Sequence, residues 1–194
     1  GAGPVKVGVA VCDLFTGLFT ANAALAALAY RDRTGKGQHI DCALFDSQVA
    51  MLANQSANWL NAEFCPTRMG NHHPSVVPYT VYKAADGFVI VACGNDKQFI
   101  RLTAALGLPA LADDPAFMTN EARIKNRDRL DTELGNAVAA FDRDRVIKLL
   151  EKAGVSCGPI NDIAEVFDDP QVQARGVRID QRRSDNSLIS STAF

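Results

Sequence analysis

Asp13 is the residue in this chain best placed to do covalent chemistry. It stands in the run Cys12-Asp13-Leu14-Phe15-Thr16-Gly17, at the mouth of an apolar, alanine-rich stretch. Two readings fit it. As a helix N-cap, its side chain would accept an amide proton from the first turn, with Thr16 at the third helical position. As a nucleophile, it would sit at the C-terminal end of an α/β strand, where open sheets place their ligands. Leu14 and Phe15 beside it would keep water away, and the first helical amides would hold the carboxylate charged. The two readings do not exclude each other.

Other candidates are weaker. Thr34-Gly35-Lys36-Gly37 has glycines and a lysine, but a phosphate cradle needs its glycines after a strand and before a helix. Here the order is helix, turn, strand, so a structural turn is expected. Gly70-Asn71-His72-His73-Pro74 sets two imidazoles side by side in a loop. Adjacent histidines rarely share one metal and no third ligand stands near, so no metal site is expected. Backbone hydrogen bonding or exposure is the ordinary state of such a pair; an acid, base or loop-anchoring role is the alternative. Asp96, in Gly94-Asn95-Asp96-Lys97, is most simply part of a helix start, where an acidic residue suits the dipole. Arg123, Lys125, Arg127 and Arg129 alternate with acids and polar residues, which reads as a solvated helix face.

These residues need elements to hold them. Val5 to Val11 is a short β-branched run and reads as a buried strand ending at Cys12. A helix from about Leu14 to Arg31 follows, with Leu14, Leu18, Ala21, Leu25 and Leu28 near 3.6-residue spacing. Gly35 ends it. His39 to Leu44 alternates as a strand does, and Asp46 would cap a helix over Ser47 to Asn61. Residues 63–78 carry prolines and Gly70 without periodicity and read as a linker or ordered loop. Tyr79 to Ala84 and Phe88 to Cys93 flank Asp86-Gly87, a favoured hairpin turn. Asn95 or Asp96 opens a helix to Leu106. Helices follow at about Asn120 to Phe141, Asp142 to Ala153, Asp162 to Phe167 and after Pro170, with an extended piece at Val155 to Ile160.

The fold class expected is α/β: residues 1–62 as the C-terminal part of a Rossmann-like large domain carrying Asp13, and residues 79–180 as a smaller α/β domain. Residues 181–194 read as an irregular tail. The 194 residues carry a net charge of −2 and no basic stripe, which excludes nucleic acid as a main partner. The apolar stretch Leu18 to Ala29 is too short to span a bilayer. Five cysteines are scattered without metal-ligand spacing, as expected of reduced core thiols in a cytoplasmic protein.

The runs DLFTG (Asp13 to Gly17), ALAYRDRTGKGQHIDCALFD (Ala27 to Asp46), GNHHPSVVPY (Gly70 to Tyr79) and DGFVIVACGNDKQF (Asp86 to Phe99) resemble family III CoA-transferases, the CaiB/BaiF group. AGVSCGPIND (Ala153 to Asp162) and DPQVQARG (Asp169 to Gly176) do so too. The resemblance covers Pro4 to about Ile179, with the pattern lost from Gln181 on, and is greatest to members that use succinyl-CoA and other dicarboxylates. It implies that Asp13 is the catalytic carboxylate, passing through a mixed anhydride and an aspartyl-CoA thioester. It also implies that residues 69–77, with Gly70, Asn71, His72 and His73, form the active-site loop, where relatives carry a glycine run and this chain has Gly70 alone. CoA would enter as acyl-CoA substrate, with no permanently bound cofactor and a carboxylic acid as the second substrate. A homodimer is expected of the full-length protein.

Two alternatives stay open. One is the racemase branch, which epimerises 2-methylacyl-CoA thioesters; Asp13 would match its aspartate and Asp96 falls near a second acidic position. The other is a truncated, non-catalytic fragment that contributes dimer packing, since family members are roughly twice this length.

Overall fold

A computed structural model describes residue 3 and residues 5–192, and it divides the chain into two compact units, Gly1–Arg68 and Met69–Phe194. The division falls inside the segment read as a linker. Each unit is described by itself.

The first unit is helical. α1 spans Val11–Thr34, α2 Leu44–Ala50 and α3 Asn54–Ala62. α1 ends as expected: Gly35 takes φ +70°, and its amide donates to the Arg31 carbonyl at 2.7 Å. Neither expected strand forms among the described residues. Val5, Val7 and Val9 are 87, 62 and 59 % exposed. A strand requires a ladder partner, and this unit offers none, so alternation or β-branching alone leaves the backbone irregular. The expected helix over Ser47 to Asn61 is broken by Ala53, which takes φ +47°; nothing in the sequence marks the break. The N-cap of α2 is Ala43, and Asp46 lies within its first turn.

α1 is also longer than its central apolar stretch. Its 24 residues reach about 36 Å at 1.5 Å per residue, so by length and composition it could cross a membrane, contrary to the reading of Leu18 to Ala29 as too short. Leu14, Leu18, Phe19, Leu25 and Leu28 along it are exposed, and the buried residues of this unit are Thr16 and Ser47. This unit has no apolar core of its own among the described residues.

The second unit holds the core. β1 (Tyr79–Lys83), β2 (Phe88–Ala92) and β3 (Ser156–Pro159) form an antiparallel sheet in that order. Thr80 pairs with Val91 and Tyr82 with Val89, and all four face inward. The hairpin turn is centred one residue earlier than expected, on Ala85-Asp86, closed by the Ala84 amide on the Gly87 carbonyl at 2.9 Å. Against the sheet pack α7 (Arg127–Ala139) and α8 (Arg143–Lys152), and α4 (Asp96–Ala105) packs on α8 and adds Phe99 and Leu102 to the same core. α7 inserts Leu130, Leu134 and Val138, one per turn, each fully buried.

Shorter helices complete this unit: α5 (Ala110–Asp113), α6 (Asn120–Lys125), α9 (Ile163–Asp168) and α10 (Pro170–Ala174). α6 and α7 replace the single helix expected from Asn120, with the break at Asn126. Residues 178–192, largely within the expected irregular tail, instead form a hairpin of β4 (Arg178–Arg182) and β5 (Leu188–Thr192).

Of the two caps expected for α4, Asn95 or Asp96, it is Asn95 that serves. The Asn95, Asp142 and Asp162 side chains each accept an amide proton from the first turn of the helix they precede. Asn95→Ala removes the bond from the Gln98 amide at 3.0 Å. It is expected to cost about 1 kcal/mol, read as a lower urea midpoint at unchanged slope.

Candidate active site

Asp13 is the third residue of α1, not its N-cap. Ala10 occupies the cap, and no side chain there closes a hydrogen bond on the first turn. Val11 begins the helix earlier than the apolar periodicity suggested, and this moves Asp13 inside. The carboxylate remains at the positive end of a helix of more than six turns, where it is favoured by the dipole. Local bonds fix the turn: the Thr16 hydroxyl donates to the Cys12 carbonyl at 2.8 Å, and the Cys12 thiol donates to the Leu44 carbonyl at 3.1 Å, tying α1 to α2.

Asp13 borders a concavity of about 460 Å³ whose lining includes Lys6, Val9, Cys12, Gln48 and Met51. That volume lies in the range of small-molecule pockets. The dry surroundings expected from its neighbours are not present: Asp13 is exposed, and Leu14 and Phe15 are 62 and 42 % exposed.

The loop candidates lie in the second unit. Gly70 takes φ +61°, a conformation that L side chains adopt only under strain, and the His72 amide closes the turn on the Met69 carbonyl at 3.2 Å. From there to Val77 the loop is strapped to its own unit. Arg127 donates to the carbonyls of His73 at 3.0 Å and Pro74 at 3.4 Å. Asn120 donates to the Ser75 carbonyl and accepts from the Val77 amide, at 2.9 and 3.0 Å. Arg123 donates to the Val77 carbonyl at 2.7 Å.

The basic series is therefore not a solvated face. Arg123 is wholly buried, Arg127 holds the loop, and Arg129 pairs with Asp114 at 2.6 Å while lying over the Phe117 ring; Lys125, paired with Glu121, is exposed. The period that matters is i, i+3, i+7, i+11: Asn120, Arg123, Arg127 and Asp131 make one polar stripe facing the loop and the strand after it. The alternation of positive charges hid it.

The two imidazoles differ. His73 is built in: its Nδ1 accepts the Ser75 amide at 3.1 Å, its own amide donates to the Tyr79 carbonyl, and its ring stacks on Tyr79 at 5.2 Å. His72 Nδ1 lies 3.4 Å from Asp131 Oδ2, within ion-pair distance but without good hydrogen-bond geometry. The Tyr82 hydroxyl donates to the other Asp131 oxygen at 2.6 Å. Burial, and after it the Asp131 carboxylate, pushes the Tyr82 pKa well above its ordinary value, so this proton stays on the tyrosine.

Asp96 is engaged elsewhere, accepting from Arg123 at 2.7 Å in the first turn of α4. The thiols also sort differently from the expectation of core cysteines. Cys93 alone is buried, and burial pushes its pKa up to about 11; Cys42 and Cys65 are exposed. A disulfide reagent is expected to label Cys42 and Cys65 quickly in the native chain and Cys93 only on unfolding, followed by mass spectrometry.

The sequence model of CoA-transferase family III matches residues 1–194, so the match includes the tail in which the pattern had been read as lost. A succinate–glutarate CoA-transferase of Agrobacterium fabrum is 46 % identical over 186 residues, covering 96 % of this chain and 46 % of that protein. The succinyl-CoA:glutarate CoA-transferase of Mus musculus is 40 % identical, over 96 % of this chain and 43 % of its own length. The crystal structure of a CaiB/BaiF family protein from Brucella suis superposes with a TM-score of 0.77 at 45 % identity, covering all of this chain and 54 % of that one. The chain thus spans about half the length of the relatives it matches.

Proposed function

From the premise that this chain belongs to CoA-transferase family III, we propose that its protein moves CoA between carboxylic acids, with Asp13 as nucleophile and dicarboxylates as substrates. The observation that carries the reading is the place of Asp13: a carboxylate in the first turn of a long helix, bordering a concavity of ligand size. The names of the relatives, a succinate–glutarate and a succinyl-CoA:glutarate transferase, support the substrate class.

In this mechanism the Asp13 carboxylate attacks the thioester carbonyl and expels CoA thiolate, giving a mixed anhydride. The thiolate then attacks the aspartyl carbonyl, releasing the first acid and leaving an aspartyl-CoA thioester. The incoming carboxylate attacks that thioester and frees the thiolate again. Attack of the thiolate on the new acyl group restores Asp13. Dividing the exchange in this way replaces one difficult step with easier ones. Both intermediates hydrolyse, so water must be excluded. Hydroxylamine or borohydride added during turnover with acyl-CoA should modify Asp13, located by peptide mass spectrometry. Unmodified Asp13, with deuterium exchange at C2 of a 2-methylacyl-CoA and no acceptor acid, would instead mark an epimerase.

A second reading, a packing fragment without activity, is favoured by one observation. The first unit buries only Thr16 and Ser47 among its described residues and exposes most of the large apolar side chains of α1. It would show as a folded chain with no CoA binding by calorimetry.

A further inference from the structure

α1 and α2 frame Asp13, and they pack on one another; the two described residues that the first unit buries, Thr16 and Ser47, come one from each. The helices are tied at the start of α1, where the Cys12 thiol donates to the Leu44 carbonyl at 3.1 Å. Gln48 follows Leu44 by four residues, one turn along the same face of α2. That turn brings it to the concavity of about 460 Å³ that Cys12 and Asp13 border. Asp46, Ser47 and Ala50 line a different hollow, with Phe19. Gln48 is therefore the polar side chain that α2 supplies to the surroundings of Asp13. Among the described residues, no hydrogen bond or ion pair engages either the Gln48 carboxamide or the Asp13 carboxylate.

The chemistry calls for a donor at this place. In two of the four attacks of the transfer, the carbon under attack is the aspartyl carbonyl itself. The CoA thiolate forms a C–S bond to it, the carbonyl electron pair moves onto oxygen, and collapse breaks the C–O bond to the departing acid. The acceptor carboxylate then forms a C–O bond to the same carbon, the pair moves onto oxygen again, and collapse breaks the C–S bond. No proton moves in either step, so the oxyanion must be met by a donor that keeps its hydrogen. A carboxamide N–H does this. Such a donor works when its position relative to the oxyanion is set in advance. The aspartyl carbon belongs to α1, and α2 is tied to α1 beside it. Lys6, the other polar side chain on the wall, lies in the irregular segment before α1.

We infer that Gln48 is a further catalytic residue, whose side-chain N–H donates to the oxyanion formed on the Asp13 carbonyl. This rests on the reading of Asp13 as the nucleophile. Its role is confined to the two steps at the aspartyl carbon; in the others the oxyanion belongs to the acyl group of the substrate.

The test uses the intact protein carrying this chain, loaded with succinyl-CoA and chased with glutarate. Rapid-quench peptide mass spectrometry follows the covalent forms of Asp13. Gln48→Met and Gln48→Glu both remove the donor, and the second keeps the size and shape of the side chain. Each is expected to slow discharge of the aspartyl-CoA thioester by glutarate roughly a hundredfold, so that the thioester accumulates during turnover. Thermal unfolding of the same samples should stay near that of the parent, because Gln48 is exposed. Discharge within threefold of the parent in either variant would overturn the assignment. So would the absence from the variants of any covalent form of Asp13, anhydride or thioester. A loss in Lys6→Met with Gln48→Met at the parental rate would move the role to Lys6. A failure of the nucleophile reading is separately visible, as a parent protein in which Asp13 forms no adduct at all.

Discussion

Asp13→Asn is expected to lower CoA transfer by at least roughly 10⁴-fold while leaving the fold intact. The amide keeps the size and hydrogen-bonding shape of the carboxylate at the third position of α1. It cannot attack a thioester, so neither anhydride nor aspartyl thioester forms. The competing account makes Asp13 a helix-dipole residue and no more. A surface carboxylate in a first turn contributes about 0.3–1 kcal/mol, and its removal would cost that much stability with transfer nearly unchanged. The two accounts differ by orders of magnitude in rate and hardly at all in stability. Initial rates of acyl-CoA formation from intact protein, beside thermal unfolding of the same samples, decide between them. Transfer within tenfold of the parent would sink the nucleophile.

That this carboxylate lies inside the helix and not at its cap shows how far local signals reach. The second unit was legible because its boundaries are set by residues with local reasons to be there. Gly107 and Gly154 take φ of +76° and +68° just past helix ends, and Asn95, Asp142 and Asp162 bond the first turns they precede. Strand pairing was legible for Tyr79 to Ala92, where both partners are close in sequence. In the first unit the same patterns misled. Val5 to Val11 and His39 to Leu44 have strand-like composition, yet a strand exists only with a neighbour, and the described residues of this unit provide none. Alternation encodes which face is buried, not what buries it.

Around the candidate loop, sequence reasoning found the histidines and missed what holds them. The eye groups like charges, so Arg123, Lys125, Arg127 and Arg129 looked like one exposed row. Helical spacing groups unlike residues: an amide, two guanidiniums and a carboxylate at Asn120, Arg123, Arg127 and Asp131. A 3.6-residue period applied to polar residues as strictly as to apolar ones would have exposed that stripe. Asn126 breaks the helix inside it, but the break leaves all four residues facing the loop segment and the strand that follows it.

Arg123→Met is expected to destabilise the second unit by about 3–5 kcal/mol, the largest stability effect of any single change proposed here. Arg123 is wholly buried and spends three nitrogens: Nε on the Val77 carbonyl at 2.7 Å, Nη1 on the Phe117 carbonyl at 2.9 Å and Nη2 on Asp96 at 2.7 Å. Its guanidinium also lies 4.5 Å from the centre of the Phe99 ring. Methionine fills much of the volume but leaves the carbonyls of two buried residues without partners, at roughly 1–3 kcal/mol each. Lysine retains the charge but has neither the planar fork nor the stacking surface, so Arg123→Lys should recover only part of the loss. Asp96 is different. Its side chain is 56 % exposed, so water replaces much of the ion pair when the carboxylate is removed. Asp96→Asn should therefore cost about 1 kcal/mol or less in urea unfolding and keep transfer within about threefold. A large loss of activity in Asp96→Asn, with stability nearly unchanged, would instead give Asp96 a direct part in the chemistry and remove its role as the partner of Arg123 from first place.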